Sequence, residues 1–360
     1  MNHQRTVQIL SQLLAIPSVT TQEQAIADWV MRFCLRCLPP SSVHRHGNGI
    51  IVCQPSTGTP EGTVVLAGHL DTVECPNAFH GQVRHGRLYG LGASDMKVGL
   101  AVMLNLLETW GAQWSGRWNL VHIFYDREEG PYLDNGLDPL LKEYGHLIAD
   151  ADLAICLEPT DNSVQVGCLG TMHAAVTFQG ARAHSARPWF GENAIYKALP
   201  YLEALSKRAP VDHTFGELTY REVMNATTTT TVNTKNTVPG EFELNVNYRF
   251  APGKSIEQAC RELEELAYSH GAHSVEYRDQ APSGSVQLEA AALQALIAAS
   301  ACPPQAKQAW TDVARFSLLG LPAANFGPGL AEMAHKQDEY VELDMMAEYE
   351  QMLLSYLQGS

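Results

Sequence analysis

The stretch VVLAGHLDTV, residues 64–73, places a short apolar run directly before His69 and Asp71. An apolar run of this length is typical of a strand that is buried on both faces of a sheet. On a strand, two residues separated by one position point to the same side. The pair therefore suits a metal-binding His69 whose ring orientation is held by Asp71.

The alternation of strand and helix continues on both sides of this stretch. Apolar periodicity predicts helices and strands over 6–15 (helix), 22–37 (helix), 50–53 (strand), 64–67 (strand), 98–110 (helix), 119–125 (strand) and 153–157 (strand). Such alternation predicts an α/β fold in which a mixed sheet is flanked by helices. In sheets of this kind, functional groups gather at the carboxyl ends of the strands.

A different pattern occupies residues 174–283. It predicts, in chain order, the segments 174–179 (strand), 193–207 (helix), 225–233 (strand), 241–250 (strand), 255–269 (helix) and 274–278 (strand). This β-α-β-β-α-β order is the ferredoxin-like α+β motif. A helix over 286–300 and the segment 310–343 then return to the first pattern. We therefore expect a catalytic domain made of 1–173 and 284–360, with 174–283 inserted into it.

The composition restricts the function classes. With 24 basic and 39 acidic residues among 360, the net charge is −15, which disfavours nucleic acid and anionic membranes as partners. No apolar stretch approaches 18 residues, and the amino terminus lacks a secretory pattern, so we expect a cytoplasmic protein. The eight cysteines fit a reducing compartment. Cys34 and Cys37 lie in a predicted amphipathic helix with no partner pair downstream, which favours packing over metal binding.

Three carboxylates also follow predicted strands. Glu128 and Glu129 come after the strand over 119–125, and Glu158 follows the strand over 153–157. Adjacent carboxylates diverge, so one of the pair can hold a metal ion while the other reaches a water molecule. A solvated charge pair at a strand end is the alternative for Glu128 and Glu129.

Asp95 lies in YGLGASDMKVG, a glycine-rich turn that enters the helix over 98–110. Taken alone, it suits the N-cap of that helix. A dinucleotide-binding turn at Gly90 and Gly92 fails, because Asp95 occupies the place of the third glycine. His335, in AEMAHKQDEY, and His184, in GARAHSARPWFGEN, each suit a structural or solvated role when taken alone.

Together these residues match a two-metal hydrolase. One carboxylate bridging two zinc ions is the usual arrangement in aminopeptidases and related enzymes. Each ion takes one histidine, one glutamate, the shared Asp95 and a shared water, which completes four ligands. Glu128 then remains as a general base.

The motifs GHLDTV, YGLGASDMK, FYDREEG, CLEPT, GARAHSARPWFGENA and AHK resemble the M20 metallopeptidase family over nearly the whole chain. Within that family, residues 310–316, 325–329 and 334–339 are most similar to the succinyl-diaminopimelate desuccinylases. The resemblance implies a zinc-peptidase-like catalytic domain, an inserted dimerisation domain and a homodimer. It also implies two Zn²⁺ per subunit, for which Co²⁺ can substitute.

The resemblance further implies a role for each ligand. His69 and Glu158 would bind one zinc ion, Glu129 and His335 would bind the other, and Asp95 would bridge them. Asp71 matches the residue that orients the ligand histidine, and Glu128 matches the general base.

The remaining matches fall in or near the inserted domain. His184 matches a histidine that stabilises the oxyanion in the partner subunit's site, and Arg249 and Thr311 match positions that bind carboxylates of the substrate. Several desuccinylases carry an arginine in the loop before the insertion, where this chain has Leu169 and His173. Because of that departure, this chain has one basic side chain fewer for binding the carboxylates of the substrate.

The implied reaction releases succinate from N-succinyl-LL-2,6-diaminopimelate, a small anionic acyl-amino acid. One alternative is the same chemistry on another acyl-amino acid, such as N-acetylornithine, or on a dipeptide. Another is a metal-binding homologue without catalysis, against which the intact Glu128 argues.

Overall fold

The computed structural model describes residues 1–359 apart from 77, 79 and 80. The α-helices of this part of the chain are α1 His3–Leu14, α2 Gln24–Cys37, α3 Lys97–Trp110, α4 Leu137–Tyr144, α5 Ala194–Lys197, α6 Leu199–Lys207, α7 Ile256–Ser269, α8 Ala291–Ser300, α9 Val313–Leu318 and α10 Leu343–Gln358. None of the described helices is long and apolar enough to span a bilayer.

The strands are β1 Val43–His46, β2 Gly49–Gln54, β3 Gly62–His69, β4 Gln82–Arg84, β5 Arg87–Tyr89, β6 Trp118–Tyr125, β7 Leu153–Cys156, β8 Gln165–Val166, β9 Gly170–Gln179, β10 Ala183–His184, β11 Val211–Phe215, β12 Leu218–Thr230, β13 Thr237–Val238, β14 Glu241–Phe250, β15 Ser274–Ala281, β16 Gln305–Ala306, β17 Ala323–Asn325 and β18 Tyr340–Glu342. Two compact units contain them.

The larger unit consists of Met1–Gly167, Val286–Gln305 and Arg315–Ser360. Its main sheet has the strand order β1-β2-β6-β3-β7-β17-β8-β16. Strand β3 is parallel to both β6 and β7, whereas β2 is antiparallel to β6. The prediction of a mixed α/β sheet is therefore confirmed, and the carboxyl ends of β6, β3 and β7 lie side by side.

The apolar run in β3 is buried on both faces, as its sequence predicts. Val64, Val65, Leu66 and Ala67 are all inaccessible to solvent. Helix α3 is buried from Lys97 to Leu107, which explains why its apolar residues are not confined to one stripe. A rigid, fully covered sheet holds the residues that follow its strands in fixed positions.

The smaller unit consists of Cys168–Ser285 and Ala306–Ala314. Its sheet has the order β11-β12-β14-β9-β15, and the pairs β12–β14, β14–β9 and β15–β9 are antiparallel. Without β11 this is the ferredoxin-like strand order. Helix α7 begins with a capping box in which Ser255 and Gln258 exchange side-chain and backbone hydrogen bonds.

Two features of the smaller unit differ from the sequence-based expectation. Strand β11 forms a hairpin with β12, where the sequence suggests no strand. The unit is also wider than 174–283, because β9 already begins at Gly170 and because residues 306–314 pack with it. Thr311 therefore belongs to the smaller unit.

Candidate metal centre

His69 is the last residue of β3 and is fully buried. Its Nδ1 lies 3.0 Å from the backbone oxygen of Asp71, and its Nε2 lies 3.2 Å from Asp95 Oδ1. A carbonyl oxygen can only accept a hydrogen bond, so Nδ1 carries a proton and Nε2 is directed at Asp95. Nε2 is the atom that this arrangement presents to a metal ion.

Asp71 contacts other parts of the site besides His69. Its carboxylate accepts hydrogen bonds from the backbone N–H groups of Glu128 and Glu129 and from Thr20 Oγ1, each at 3.0 Å. Oδ1 of Asp71 also lies 3.5 Å from His69 Nδ1. Burial raises the pKa of Asp71, but its contacts with His69 and the two N–H groups lower it more. Asp71 thus joins the end of β3 to the turn after β6 as a buried anion.

Asp95 occupies the middle of the cluster. Its Oδ1 faces His69 and its Oδ2 lies 3.5 Å from His335 Nε2, so each carboxylate oxygen meets one imidazole. Burial raises the pKa of Asp95, yet the hydrogen bonds with His335 and His69 bring it below its usual range. The Asp95–Met96 peptide bond, at the entrance to α3, is cis.

Each imidazole also has a glutamate of its own. Glu158, just after β7, brings Oε1 to 3.9 Å from His69 Nε2. Glu129, just after β6, brings Oε1 to 2.9 Å from His335 Nε2. The hydrogen bonds of His335 with Asp95 and Glu129 raise its pKa to about 10. The cluster therefore consists of two similar halves that share Asp95.

The donor atoms fit divalent metal ions. One ligand atom from each of His69, Asp95 and Glu129 lies within 4.8 Å of the others. Imidazole nitrogens and carboxylate oxygens are ligands that Zn²⁺ takes in proteins. Among the described residues, the carboxylates that act on the two imidazoles outnumber them, so the site has an excess of negative charge that bound cations would neutralise; they are Asp71, Asp95, Glu128, Glu129 and Glu158.

Glu339 is a participant that the sequence analysis did not identify. It is buried, and its carboxylate accepts hydrogen bonds from the backbone N–H groups of Gly92, Ser94 and Asp95. Gly92 has a φ of +86°, in the left-handed region that favours glycine. In the sequence, Glu339 ends the motif over 334–339 and stands four residues after His335, but neither observation indicates its contacts.

The other predicted site residues belong to the smaller unit. His184 is exposed on β10, and its Nδ1 accepts a hydrogen bond from the backbone N–H of Ala186 at 3.0 Å. Because Nδ1 accepts, Nε2 is the ring nitrogen that carries a proton and can donate. Thr311 is buried, and its hydroxyl has no hydrogen-bond partner among the described residues.

Arg249 lines a cavity of about 450 Å³ in the smaller unit, together with Leu169, Thr219, Arg221, Val223 and Gln308. Its Nε donates to Asn247 Oδ1 at 3.0 Å. Burial lowers the pKa of the Arg249 guanidinium, although the group stays cationic at neutral pH. The cavity thus offers a positive charge beside apolar walls.

Comparison with known proteins agrees with this geometry. The profile of peptidase family M20/M25/M40 matches residues 65–359. The chain belongs to that family. A succinyl-diaminopimelate desuccinylase of Corynebacterium glutamicum is 34% identical over 354 residues, which cover 97% of this chain and 95% of the relative. The molecule is a metal-dependent hydrolase of the M20 type.

Solved structures share the fold over nearly the full length. A tripeptidase from Staphylococcus aureus superposes with a TM-score of 0.80 at 19% identity, covering 99% of this chain and 98% of that one. A Bacillus subtilis peptidase of the M20 family, described as binding a dinuclear metal centre, gives a TM-score of 0.67 at 14% identity, with 98% and 97% coverage. At these identities the likeness concerns the fold alone.

Proposed function

We propose that this chain is a di-zinc amide hydrolase that converts N-succinyl-LL-2,6-diaminopimelate into succinate and LL-diaminopimelate. The observation that carries the chemistry is the pair of half-sites sharing Asp95, each with one histidine and one glutamate. The choice of substrate draws its support from the Corynebacterium glutamicum desuccinylase, which is similar over nearly the whole chain. All eight cysteines are free thiols, in keeping with a reducing cytoplasm.

In this proposal His69 and Glu158 hold one Zn²⁺, Glu129 and His335 hold the other, and Asp95 is shared. Co²⁺ is expected to substitute. When bound, the two ions supply Lewis acidity that acidifies a water molecule and polarises the scissile carbonyl.

Glu128 carries the proton transfers. It is held next to the metal ligand Glu129 by the hydrogen bonds that Asp71 accepts from both backbone N–H groups. Glu128 takes a proton from the attacking water and passes it to the departing amine as the amide bond breaks. Nε2–H of His184 donates a hydrogen bond to the carbonyl oxygen as that oxygen gains negative charge.

Binding of the succinyl carboxylate is assigned to Arg249 and Thr311. The Arg249 guanidinium supplies positive charge in a chain whose net charge is −15. The Thr311 hydroxyl, buried without a partner among the described residues, supplies a hydrogen bond. The site should therefore bind a ligand that forms a hydrogen bond with this hydroxyl more tightly than a ligand that does not.

The direct test is an activity panel. Zinc-loaded enzyme is assayed on N-succinyl-LL-diaminopimelate beside N-acetylornithine and a dipeptide. We expect kcat/KM to be highest for the succinyl substrate. A higher value for N-acetylornithine or for the dipeptide would overturn the choice of substrate but would leave the hydrolase class in place.

We also propose a homodimer in which His184 serves the partner's site. Trp189, Phe190, Tyr196 and Leu199 of the smaller unit are between 55% and 72% exposed, which is unusual for large apolar side chains. Strand β12 continues beyond Glu222, where its pairing with β11 ends, and so offers an open edge within the described chain. A second copy related by a two-fold axis would cover both features.

Subunit mixing tests this shared site. Glu128→Ala and His184→Ala are each expected to be inactive as pure dimers. After dissociation and reassociation, one site of each mixed dimer has both residues, so about one quarter of the wild-type activity should return. If His184 served its own subunit, every site would lack one residue. An absence of recovery after confirmed exchange would therefore contradict the shared site.

A further inference from the structure

The loop that carries Asp95 is held from one side by a single buried carboxylate. Oε1 of Glu339 lies 2.8 Å from the backbone nitrogen of Ser94 and 2.9 Å from that of Asp95, and Oε2 lies 3.1 Å from that of Gly92. Three N–H donors of the 92–95 turn therefore converge on one carboxylate. The side chain is only 1% exposed, so water does not compete for these bonds.

The backbone around Glu339 reinforces the contact. Its carbonyl oxygen accepts a hydrogen bond from the N–H of Gly90 at 2.9 Å, and the next residue, Tyr340, pairs with Tyr89 across β18 and β5. Oγ of Ser94 donates to the carbonyl of Tyr340 at 2.7 Å. The segment that follows His335 is thus hydrogen-bonded along the whole turn that ends in Asp95.

This arrangement has a consequence for the metal centre. The same short segment supplies His335 to one half-site and, through Glu339, fixes the backbone of Asp95, which both half-sites share. Because Asp95 directs one oxygen to each imidazole, a displacement of its backbone would change both halves at once.

We propose that Glu339 is a positioning residue that sets Asp95 between the two histidines, so that both metal ions depend on it. The inference rests on the proposed metal centre. Groups that orient metal ligands typically contribute 10–100-fold to metal affinity or activity. Glutamine at this position could keep an acceptor for Ser94 and Asp95, but its amide would place a donor against the N–H of Gly92.

The experiment is a titration of the metal-free protein with Co²⁺, followed by the visible absorption of the bound ion, in the wild type, Glu339→Gln, Glu339→Asp and Glu342→Gln. Glu342 is a matched control because it lies three residues further on, has a side chain that is 41% exposed, and pairs with Arg87. Unfolding temperatures of the metal-free variants are measured in parallel.

We expect both binding steps of Glu339→Gln to weaken about 10–100-fold, with an altered absorption spectrum, while Glu342→Gln matches the wild type. A purely structural residue would lower the unfolding temperature without changing the affinity of the folded protein. Folded Glu339→Gln with Co²⁺ affinities within about twofold of the wild type would overturn the inference. If that variant does not fold, Glu339→Asp, which keeps the charge but is one methylene too short, decides by the same criterion. A wild type that takes up no Co²⁺ would overturn the metal centre itself, and this inference with it.

Discussion

Each unit of the molecule contains a cluster of ionisable side chains, and the two clusters differ in how their charges balance. In the smaller unit, Glu222 is only 4% exposed and accepts hydrogen bonds from Tyr248 at 2.6 Å and Lys254 at 2.9 Å. Lys254 also reaches Glu262 at 2.6 Å. The buried carboxylate therefore has a cation of its own chain beside it.

In the larger unit, the side chains of Asp71, Asp95, Glu129 and Glu158 are at most 13% exposed, and the imidazoles of His69 and His335 form ion-pair contacts with them. The buried Lys97 adds a positive charge that acts on Asp71, while its Nζ donates hydrogen bonds to the backbone oxygens of Leu13 and Ile16. Burial of charge without full compensation is costly, so the surplus of carboxylates in this cluster favours the binding of cations.

The balance of charge distinguishes a structural cluster of ionisable side chains from a functional one. A buried ion pair that is complete within the chain needs nothing further, whereas a surplus of one sign at the ends of strands indicates a site for a charged ligand. Removing a charge from the first cluster should harm folding. Removing one from the second should harm catalysis or metal binding.

The largest expected effect is on turnover in Glu128→Gln. The variant should keep its metal ions and lose about 10²–10⁴-fold in kcat, since general-base catalysis contributes that much. Metal content and kcat are measured together, with Glu143→Gln, an exposed position on α4, as the control. Loss of metal at unchanged kcat per bound ion would mean that Glu128 and Glu129 have exchanged roles.

The second prediction concerns Arg249, which we propose binds a carboxylate of the substrate. Arg249→Leu should fold, bind metal normally and lose on the order of 2–5 kcal/mol of transition-state stabilisation in kcat/KM for the succinyl substrate. Arg261→Leu, on the exposed side of α7, is the matched control. An unchanged kcat/KM would remove Arg249 from the substrate site.

The third prediction concerns the cluster around Glu222 in the smaller unit. Lys254→Met leaves Glu222 buried without its cation, which should lower the free energy of unfolding by about 3 kcal/mol. Metal content should not change. Chemical denaturation measures the effect, with Lys207→Met, at an exposed position, as the control. A loss no greater than that of the control would show that Lys254 does not balance Glu222.

The smallest effect is a dependence of stability on pH. Burial raises the pKa of Glu222, but the hydrogen bonds from Tyr248 and Lys254 lower it by more, so that the pKa lies below its usual value of 4.5. Its stabilising contribution is therefore present above pH 4.5 and is lost as the pH falls through the pKa of the folded state. Thermal unfolding between pH 3 and 6 should show a shallower acid slope in Glu222→Gln than in the wild type. Equal slopes would contradict the lowered pKa.

The sequence predicts the sheet of the larger unit because strands covered on both faces are continuous apolar runs, as at 64–67. It does not predict β11, since VDHTF is short, polar and largely exposed and pairs only through its hairpin with β12. The apolar pattern of a sequence predicts which residues share one face of a helix or strand. It does not predict which residues of other elements they contact.

The same limit applies to the metal centre. The candidate ligands can be proposed from the sequence because each lies beside a strand end or a glycine-rich turn. Asp71 accepts a hydrogen bond from the backbone of Glu128, which lies 57 positions later in the chain. Glu339 accepts one from the backbone of Asp95, which lies 244 positions earlier. Neither contact can be read from the sequence. Glu222 likewise looks like an ordinary surface glutamate in an alternating strand until its partners are seen.

Metal content by elemental analysis of the wild type, His69→Ala, His335→Ala and Asp95→Ala tests the central claim most directly. Because each proposed half-site has its own histidine and both share Asp95, we expect two zinc ions per chain in the wild type. We expect about one in each histidine variant and almost none in Asp95→Ala. A wild type with a single ion, or an Asp95→Ala variant that keeps both, would contradict it.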